Sequence, residues 1–243
     1  MKNLPTLSIV IPAYNEEKRI EKTIDTLLNE KNELKIKEIL IVDDGSIDKT
    51  SKIVLTKSHS SNIIKLIQLE TNQGKGGALR EGVMRATGEY IGCFDADLSA
   101  SIDSIPHAIT MLENDADVVV GTRVTPQGID LRKTQPLRRR YAGKLFSLLQ
   151  RLIVGIPYKD TQCPFKLFTK EAATVIFPNL VIRRWSIDVE LLALAEKNNF
   201  KIIELPIIWQ HVDDSKVALG PKILINVISE LLKIRHNINK LQD

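Results

Sequence analysis

Two aspartates separated by one residue, Asp95 and Asp97, directly follow the apolar run YIGCF at 90–94. Acidic side chains at the end of a buried strand indicate a site that needs negative charge. A hard divalent cation such as Mg²⁺ or Mn²⁺ often takes one or two ligands from protein carboxylates and the rest from phosphate oxygens and water. A bare Asp-x-Asp pair is also typical of a solvated acidic turn, so its surroundings must decide between the two interpretations.

Polar loops follow three other apolar runs in the same way. They are YNEE after 7–11, DDGS after 38–42 and NQGKGG after 63–69. Ligands of open α/β sheets bind at the carboxyl ends of the strands, so we expect all four loops to meet at one site. Taken alone, DDGS also satisfies an Asp-Gly turn. NQGKGG matches neither of the common phosphate-loop patterns, G-x-x-x-x-G-K-[ST] and G-x-G-x-x-G. A helix N-terminus beside a lysine nevertheless favours an anion.

The elements that position these loops follow from the hydrophobic pattern. Strands are predicted at 7–11, 38–42, 63–69, 90–94 and 116–123, with helices between them. Asn15 is predicted to cap the first helix, with Glu16 and Glu17 in its first turn. Regular strand–helix–strand succession implies right-handed βαβ units and a mostly parallel sheet, so the fold class is α/β.

The regular alternation of predicted strands and helices ends after residue 124. A helix is predicted after the three arginines at 138–140, a strand and a helix within 160–177, a helix near 183–198 and a strand near 201–209. An amphipathic helix beginning at Pro221 closes the chain. We expect one domain over 1–243, consisting of a first half at 1–123, a second half at 124–217 and the C-terminal helix at 218–243.

Composition limits the classes of partner. The formal net charge is +4 and only 5% of residues are aromatic, so we expect no nucleic acid partner. No uninterrupted apolar segment has the roughly 20 residues of a membrane span, so any contact with a membrane is expected from its surface. Cys93 and Cys163 favour a reduced, intracellular protein, with one disulfide left open as the alternative.

The motifs taken together resemble a known family. The segments 9–20, 39–50, 72–99 and 118–123 are similar, in this order, to glycosyltransferase family 2, whose inverting enzymes have an A-type nucleotide-sugar fold. The second half, through 160–173, 183–195 and 213–217, more narrowly resembles the dolichyl-phosphate glucosyltransferases, and more loosely the corresponding mannosyltransferases. The resemblance implies an A-type glycosyltransferase fold with its nucleotide-sugar site at the carboxyl ends of the strands.

The resemblance also implies roles for individual positions. The nucleotide-sugar site would comprise Pro12, Tyr14, Glu16, Asp44, Lys75, Asp95, Ala96, Asp97, Arg123 and Lys216. Mg²⁺ or Mn²⁺ would be held by Asp95, Asp97 and Ser99. The residues expected to take part in catalysis are Asp97, Asp188 and Arg123, with Arg123 facing phosphate and Asp188 on the acceptor side.

Two positions depart from the mannosyltransferase pattern. Ser99 stands where those enzymes commonly carry a metal-binding glutamine, and Gln210 stands where they tend to carry an arginine. Both differences favour UDP-glucose over GDP-mannose as the donor. The alternatives left open are a GDP-mannose-dependent enzyme and a non-catalytic, membrane-associated protein that binds nucleotide sugars. A nucleotidyltransferase is disfavoured because the loop after the first strand is acidic.

The acceptor implied by the resemblance is a polyprenyl phosphate. Its phosphate has a second pKa of about 6, so the nucleophile is already ionised near neutral pH and Asp188 would orient it rather than remove a proton. Arg138, Arg139 and Arg140 are predicted to bind this phosphate or anionic headgroups, and the apolar helix after them is expected to lie in either the core or a membrane interface. We expect peripheral attachment to the cytoplasmic face of a membrane, and a membrane-anchor subunit or a homo-oligomer is left open as a further partner.

Overall fold

The computed structural model describes residues 5–124, 137–158, 160–208 and 221–241. Its strands are β1 (Leu7–Ala13), β2 (Ile36–Asp43), β3 (Ile64–Gln68), β4 (Tyr90–Phe94), β5 (Val118–Thr122), β6 (Phe165–Thr169) and β7 (Ile202–Pro206). Its α-helices are α1 (Ile20–Glu30), α2 (Thr50–Ser60), α3 (Lys75–Arg85), α4 (Ile105–Glu113), α5 (Leu137–Ile153), α6 (Lys170–Ile176), α7 (Ile187–Lys197) and α8 (Pro221–Lys240).

All seven strands belong to one mixed sheet in the order β3-β2-β1-β4-β6-β5-β7. β1 pairs in parallel with β2 and β4, β2 with β3, and β5 with β7. Among the strands in the described ranges, only β6 is antiparallel to its neighbours, and it lies between β4 and β5. The predicted mostly parallel α/β sheet is confirmed, and both predicted halves of the chain contribute strands to it.

Helices cover both faces of the sheet, which explains why the strands are continuous apolar runs rather than alternating ones. One buried cluster packs α3, α6, α7 and α8 against the sheet, with Leu79, Ala172, Leu191 and Leu231 among its members. A second cluster on the opposite face includes Ile24 of α1, Val54 of α2 and Ile109 of α4. The sheet is therefore the central layer of the fold, between two layers of helices. Cys93 and Cys163 are both buried free thiols.

The predicted cap of the first helix was wrong. α1 begins at Ile20 with Arg19 before it, and Asn15 adopts a left-handed backbone with φ of 54°. Asparagine tolerates this conformation better than most residues. The Asn15 N–H donates to Ser46 Oγ at 2.9 Å, and its Oδ1 accepts from the Ile47 N–H at 2.9 Å. Asn15 therefore ties the loop after β1 to the loop after β2.

A buried glutamate, Glu38, links strands at the end of the sheet opposite to the carboxyl-end loops. The side chain of Glu38 accepts from Ser8 Oγ at 2.6 Å, from the Thr87 N–H at 2.6 Å and from Lys65 Nζ at 2.6 Å. Burial by itself raises the pKa of Glu38, but these donors outweigh it and lower that pKa from 4.5 to about 2. One carboxylate thus links β1, β2, β3 and the turn before β4.

We predict that Glu38→Gln lowers the free energy of unfolding by about 3 kcal/mol at pH 7. Because the folded-state pKa is depressed, this stabilisation is complete above pH 4.5 and is lost as the pH falls towards 2. Urea unfolding at pH 7 and pH 3 should therefore show the gap between wild type and variant shrinking by roughly 2 kcal/mol. Exposed Glu33→Gln is the control, expected within about 0.5 kcal/mol of wild type. A gap that does not change with pH would contradict the assignment.

Candidate active site

One cleft of about 240 Å³ opens at the carboxyl ends of β1, β2 and β4, beside the start of α3. Its lining comprises Pro12, Ala13, Tyr14, Glu16, Arg19, Asp44, Lys75, Asp95, Ala96 and Asp97. Eight of these are residues that the family resemblance assigned to the nucleotide-sugar site; Ala13 and Arg19 are additional. The four polar loops therefore do meet, because parallel strands end at the same edge of the sheet.

Asp95 and Asp97 lie in a tight turn after β4. The Leu98 N–H donates to the Asp95 carbonyl oxygen at 3.1 Å, and Leu98 has φ of 45°. The Ser99 N–H donates to Asp97 Oδ1 at 2.9 Å, which orients that carboxylate. Ser99 thus acts on Asp97 through its backbone, and direct ligation of a metal by its hydroxyl stays a prediction.

A cation stands beside each of the two aspartates. Lys75 Nζ lies 2.8 Å from Asp95 Oδ1, and Arg19 Nη1 lies 3.8 Å from Asp97 Oδ2. Arg19 is itself held by Glu16, at 2.7 Å from Nε to Oε2. Arg19 was not among the residues predicted from the sequence, although a glutamate and an arginine three residues apart have the spacing that pairs on a helical turn.

Lys75 remains charged in this setting. Burial by itself lowers the pKa of Lys75, but the carboxylates of Asp188 and Asp95 outweigh it and raise that pKa above its ordinary value. A permanent ammonium group at the wall of the cleft is suited to an anionic ligand such as a diphosphate.

The two aspartates of the DDGS loop have different partners. Asp43 makes the local turn by accepting from the Ser46 N–H at 2.9 Å. Asp44 reaches across to the next loop and accepts from the N–H groups of Gln73 at 2.6 Å and Gly74 at 2.8 Å. Burial raises the pKa of Asp44, and these two hydrogen bonds oppose the rise. Asp44 lines the cleft as expected, and it also shapes the loop that carries Lys75.

The start of α3 is not an open cradle for phosphate. The N–H groups of Gln73 and Gly74 bind Asp44, and the Gly76 N–H donates to the carbonyl oxygen of Arg183 at 2.9 Å. The backbone donors of this loop are thus largely used within the protein. Within this loop the side chain of Lys75, rather than the helix N-terminus, is the group that lines the cleft and is suited to an anion.

Two buried charges lie behind the cleft. Asp188, in the first turn of α7, is 3% exposed, and its Oδ1 lies 2.7 Å from Nζ of the equally buried Lys166 on β6. Its other oxygen lies 3.9 Å from Lys75 Nζ. Burial by itself raises the pKa of Asp188, but Lys166 and Lys75 outweigh it, so that pKa is lowered. Sequence reasoning missed Lys166, whose signal was a charge within the apolar strand FKLF.

Arg123 has a different environment from the one expected. Its guanidinium forms a two-point ion pair with Asp160, with Nε and Nη2 at 2.8 and 2.6 Å from the carboxylate oxygens. The pair is buried, and Arg123 is absent from the lining of the cleft. Contact between Arg123 and a phosphate stays a prediction. Lys216 lies outside the described residues, and of Arg138, Arg139 and Arg140 only the helical backbone is described.

The chemistry of Asp95 and Asp97 fits a divalent cation that is shared with a phosphate ligand. Over the described ranges, no group of three or more His, Cys, Asp or Glu side chains is arranged to hold a metal. Mg²⁺ on a nucleotide typically needs only one or two protein carboxylates, with phosphates and water completing its octahedron. Both aspartates line the same cleft and keep part of their side chains exposed to it.

Comparison with known proteins agrees with the fold and with the family that the sequence resembles. The family model described as Glycosyl transferase family 2 matches residues 8–177. The chain is 39% identical over 226 residues to the dolichyl-phosphate beta-glucosyltransferase of Dictyostelium discoideum, an alignment covering 87% of this chain and 68% of that protein. The human dolichyl-phosphate beta-glucosyltransferase is 34% identical over 230 residues, covering 87% of this chain and 69% of that protein.

A solved structure supports the fold alone. Glucosyl-3-phosphoglycerate synthase of Mycobacterium tuberculosis, in complex with Mn²⁺, UDP-glucose and phosphoglyceric acid, superposes with a TM-score of 0.61 at 17% identity. The match covers 97% of this chain and 80% of that chain. The expected A-type glycosyltransferase fold is confirmed.

The loop before α3 depends on a glycine, and Gly74→Ala tests that dependence. Gly74 has φ of 84°, and a β-carbon there would lie 2.4 Å from the Arg183 carbonyl oxygen. We predict that the substitution costs about 1–3 kcal/mol and lowers Tm by roughly 2–10 °C. At Gly143 in α5 an added β-carbon would have nothing within 4 Å, so Gly143→Ala should be neutral or slightly stabilising. Equal Tm values for the two variants in calorimetry would contradict this account.

Proposed function

The chain belongs to glycosyltransferase family 2, and we propose that it transfers glucose from UDP-glucose to a dolichyl or related polyprenyl phosphate, with inversion at the anomeric carbon. The observation that carries the proposal is the pairing of Asp95 and Asp97 with Lys75 and Arg19 in one cleft. The names of the Dictyostelium and human relatives support glucose as the sugar and dolichyl phosphate as the acceptor.

The cleft suits the diphosphate of a nucleotide sugar. When bound by Asp95 and Asp97, Mg²⁺ or Mn²⁺ would supply positive charge that stabilises the leaving diphosphate. Lys75 adds a fixed ammonium group 2.8 Å from Asp95, on the same wall. Tyr14 is exposed at the mouth, where an aromatic ring could cover the nucleoside. Binding energy is thus directed at the group that gains charge as transfer proceeds.

The reaction needs no proton transfer to begin. An oxygen of the acceptor phosphate attacks the anomeric carbon, and the bond between that carbon and the UDP oxygen breaks on the opposite face. The bonding electron pair leaves with UDP, so charge is conserved and no base is consumed. In this scheme the residues of the cleft orient the donor and screen the growing negative charge.

Asp188 is suited to orientation rather than to proton removal. It is buried, and two lysines hold it in the ionised form with a lowered pKa. A carboxylate with a low pKa is a weak general base, and an ionised acceptor phosphate has no need of one. We therefore assign to Asp188 the positioning of its neighbours in the cleft.

The proposal is tested by transfer of radiolabelled sugar to polyprenyl phosphate in detergent or vesicles. UDP-glucose and GDP-mannose are compared side by side, each with Mg²⁺, with Mn²⁺ and with chelator. Metal-dependent transfer from UDP-glucose is the expected result. Transfer from GDP-mannose alone would overturn the choice of donor, and donor binding without transfer to any lipid would favour a non-catalytic nucleotide-sugar-binding protein.

We predict that Asp97→Asn lowers kcat/KM for the donor by about 100-fold or more, because it removes half of the negative charge that would hold the cation. Asp103→Asn is the matched control: Asp103 is exposed, follows in the same segment and accepts from Ser101 Oγ at 2.7 Å. This control should stay within about twofold of wild type. Chelator should abolish wild-type activity and excess Mn²⁺ should restore it. Equal losses in both variants would contradict the role of Asp97.

The outer face of α5 supports the expected contact with a membrane surface. Tyr141, Leu145, Leu148 and Leu152 form one exposed stripe at helical spacing, with exposed fractions of 68%, 43%, 53% and 69%. The inner face of the same helix packs Phe146 and Leu149 against the core. One face of the helix therefore belongs to the core, and the other, which is unpartnered among the described residues, is the face that we propose for the membrane surface.

The positive charges beside this stripe support contact with a lipid surface, and with the cytoplasmic leaflet in particular. Lys144 and Arg151 are exposed on α5 beside the leucines, and anionic lipids of that leaflet attract such residues. None of the helices in the described part of the chain combines the length and hydrophobicity that crossing a bilayer requires. An anchoring subunit or a second copy of the chain on the same stripe is the alternative.

We predict that the double variant Leu148→Glu/Leu152→Glu binds vesicles containing anionic lipid about tenfold or more weakly than wild type, because two apolar contacts are lost and two like charges are added. Leu55→Glu/Met84→Glu carries the same charge change on α2 and α3, at side chains 49% and 51% exposed. Co-sedimentation of this control should match wild type. Loss of a dimer or of a co-purifying subunit, with unchanged vesicle binding, would instead identify the stripe as a protein interface.

A further inference from the structure

Lys166 is a buried lysine with a defined set of partners. It lies on β6 with 3% of its surface exposed, in register with Cys93 on β4 and Val120 on β5. Its ammonium group binds Asp188 Oδ1 at 2.7 Å and donates to the Cys163 carbonyl oxygen at 2.8 Å. Burying a lysine and an aspartate together carries a large desolvation cost, so such a pair calls for an explanation beyond stability.

The pair is the inner end of a line of alternating charges that reaches the cleft. Lys166 contacts Asp188 at 2.7 Å, Asp188 lies 3.9 Å from Lys75, and Lys75 contacts Asp95 at 2.8 Å. Asp95 is one of the two aspartates assigned to the metal and diphosphate. The electrostatic state of Lys166 can therefore influence the donor site through three contacts.

Substrate does not reach Lys166 directly. A small cavity of about 10 Å³ is lined by Lys75, Asp95, Lys166 and Asp188, next to the main cleft. A space of that size holds about one water molecule and is too small for a phosphate or a sugar. Any effect of Lys166 on transfer must therefore pass through its neighbours.

We propose that Lys166 is a positioning residue that neutralises Asp188 and thereby leaves Lys75 in contact with Asp95. Lys75 has two carboxylates within 4 Å, and its contact with Asp95 is the closer by about one ångström. Lys166 takes up much of the charge of Asp188. Without it, the unpaired buried charge of Asp188 would draw Lys75 inward, because an uncompensated buried charge is strongly unfavourable.

This inference rests on the proposed function only for its kinetic consequence, which is a higher KM for the donor. Displacement of Lys75 would remove the fixed ammonium group from the donor diphosphate and leave the acceptor side unchanged. The structural consequence, a broken contact between Lys75 and Asp95, can be observed without any substrate. The two consequences are therefore tested separately.

The test compares Lys166→Met with Lys65→Met. Lys65 is a matched control because it pairs with another buried acid, Glu38, at 2.6 Å, on a strand at the far edge of the sheet. We expect the crystal structure of Lys166→Met to show Lys75 Nζ moved from Asp95 to Asp188. The donor KM should rise at least tenfold, with the acceptor KM within twofold of wild type. Lys65→Met should lower Tm and leave both KM values and the Lys75–Asp95 contact unchanged.

A second variant separates positioning from simple loss of structure. Lys166→Met/Asp188→Asn removes both buried charges, so Lys75 should return to Asp95 and the donor KM should recover to within threefold of wild type, whatever happens to kcat. If Lys75 stays on Asp95 in Lys166→Met, or if the double variant has a higher donor KM than the single one, the proposal is wrong. A wild-type protein that transfers no glucose would overturn the proposed function, and the position of Lys75 would still decide this inference.

Discussion

The contact between Lys75 and Asp95 is the interaction on which the rest of the site depends. Two aspartates one residue apart would repel each other at the end of a buried strand unless cations stood beside them. Lys75 supplies one such cation and Arg19 the other. Both acids keep part of their side chains exposed to the cleft, where carboxylates can share a divalent cation with a diphosphate. The surrounding loops serve mainly to hold these two cations in place.

The sheet topology supplies the groups that hold them. Parallel β1, β2 and β4 end at one edge, so Arg19, which Glu16 holds locally, lies beside Asp97 there, and Asp44 fixes the loop that carries Lys75. The antiparallel β6 enters between β4 and β5 and brings a charged residue beneath the cleft. The antiparallel strand β6 thus supplies the paired charges behind the cleft, whereas the loops after the parallel strands supply its lining.

Much of this arrangement could be predicted from the sequence, because its signals are local. Buried parallel strands are continuous apolar runs, and their ends are marked by acids and glycines, so the positions of Asp44, Asp95 and Asp97 followed from pattern. The C-terminal helix began at Pro221 as predicted, since proline fits the first turn of a helix. The family resemblance supplied the expected roles of these residues without their geometry.

Pairings between distant residues could not be predicted. The direction and neighbours of β6 depend on packing across the whole sheet, and no local pattern encodes them. Arg123 pairs with a residue 37 positions away, and Asp44 binds a loop about 30 positions away. The presence of a charged residue in the sequence does not indicate which distant residue it contacts. Asn15 does not cap α1, because its side-chain oxygen accepts from the Ile47 N–H in the loop after β2 instead.

The most direct test of the central claim is the position of Mn²⁺ in crystals of the protein grown with UDP and Mn²⁺, located by its anomalous scattering. The account predicts one strong peak within ligand distance, about 2.2 Å, of a carboxylate oxygen of Asp95 or Asp97, with the β-phosphate of UDP on its other side and Lys75 beside that phosphate. Mn²⁺ and UDP bound away from these two aspartates would contradict it.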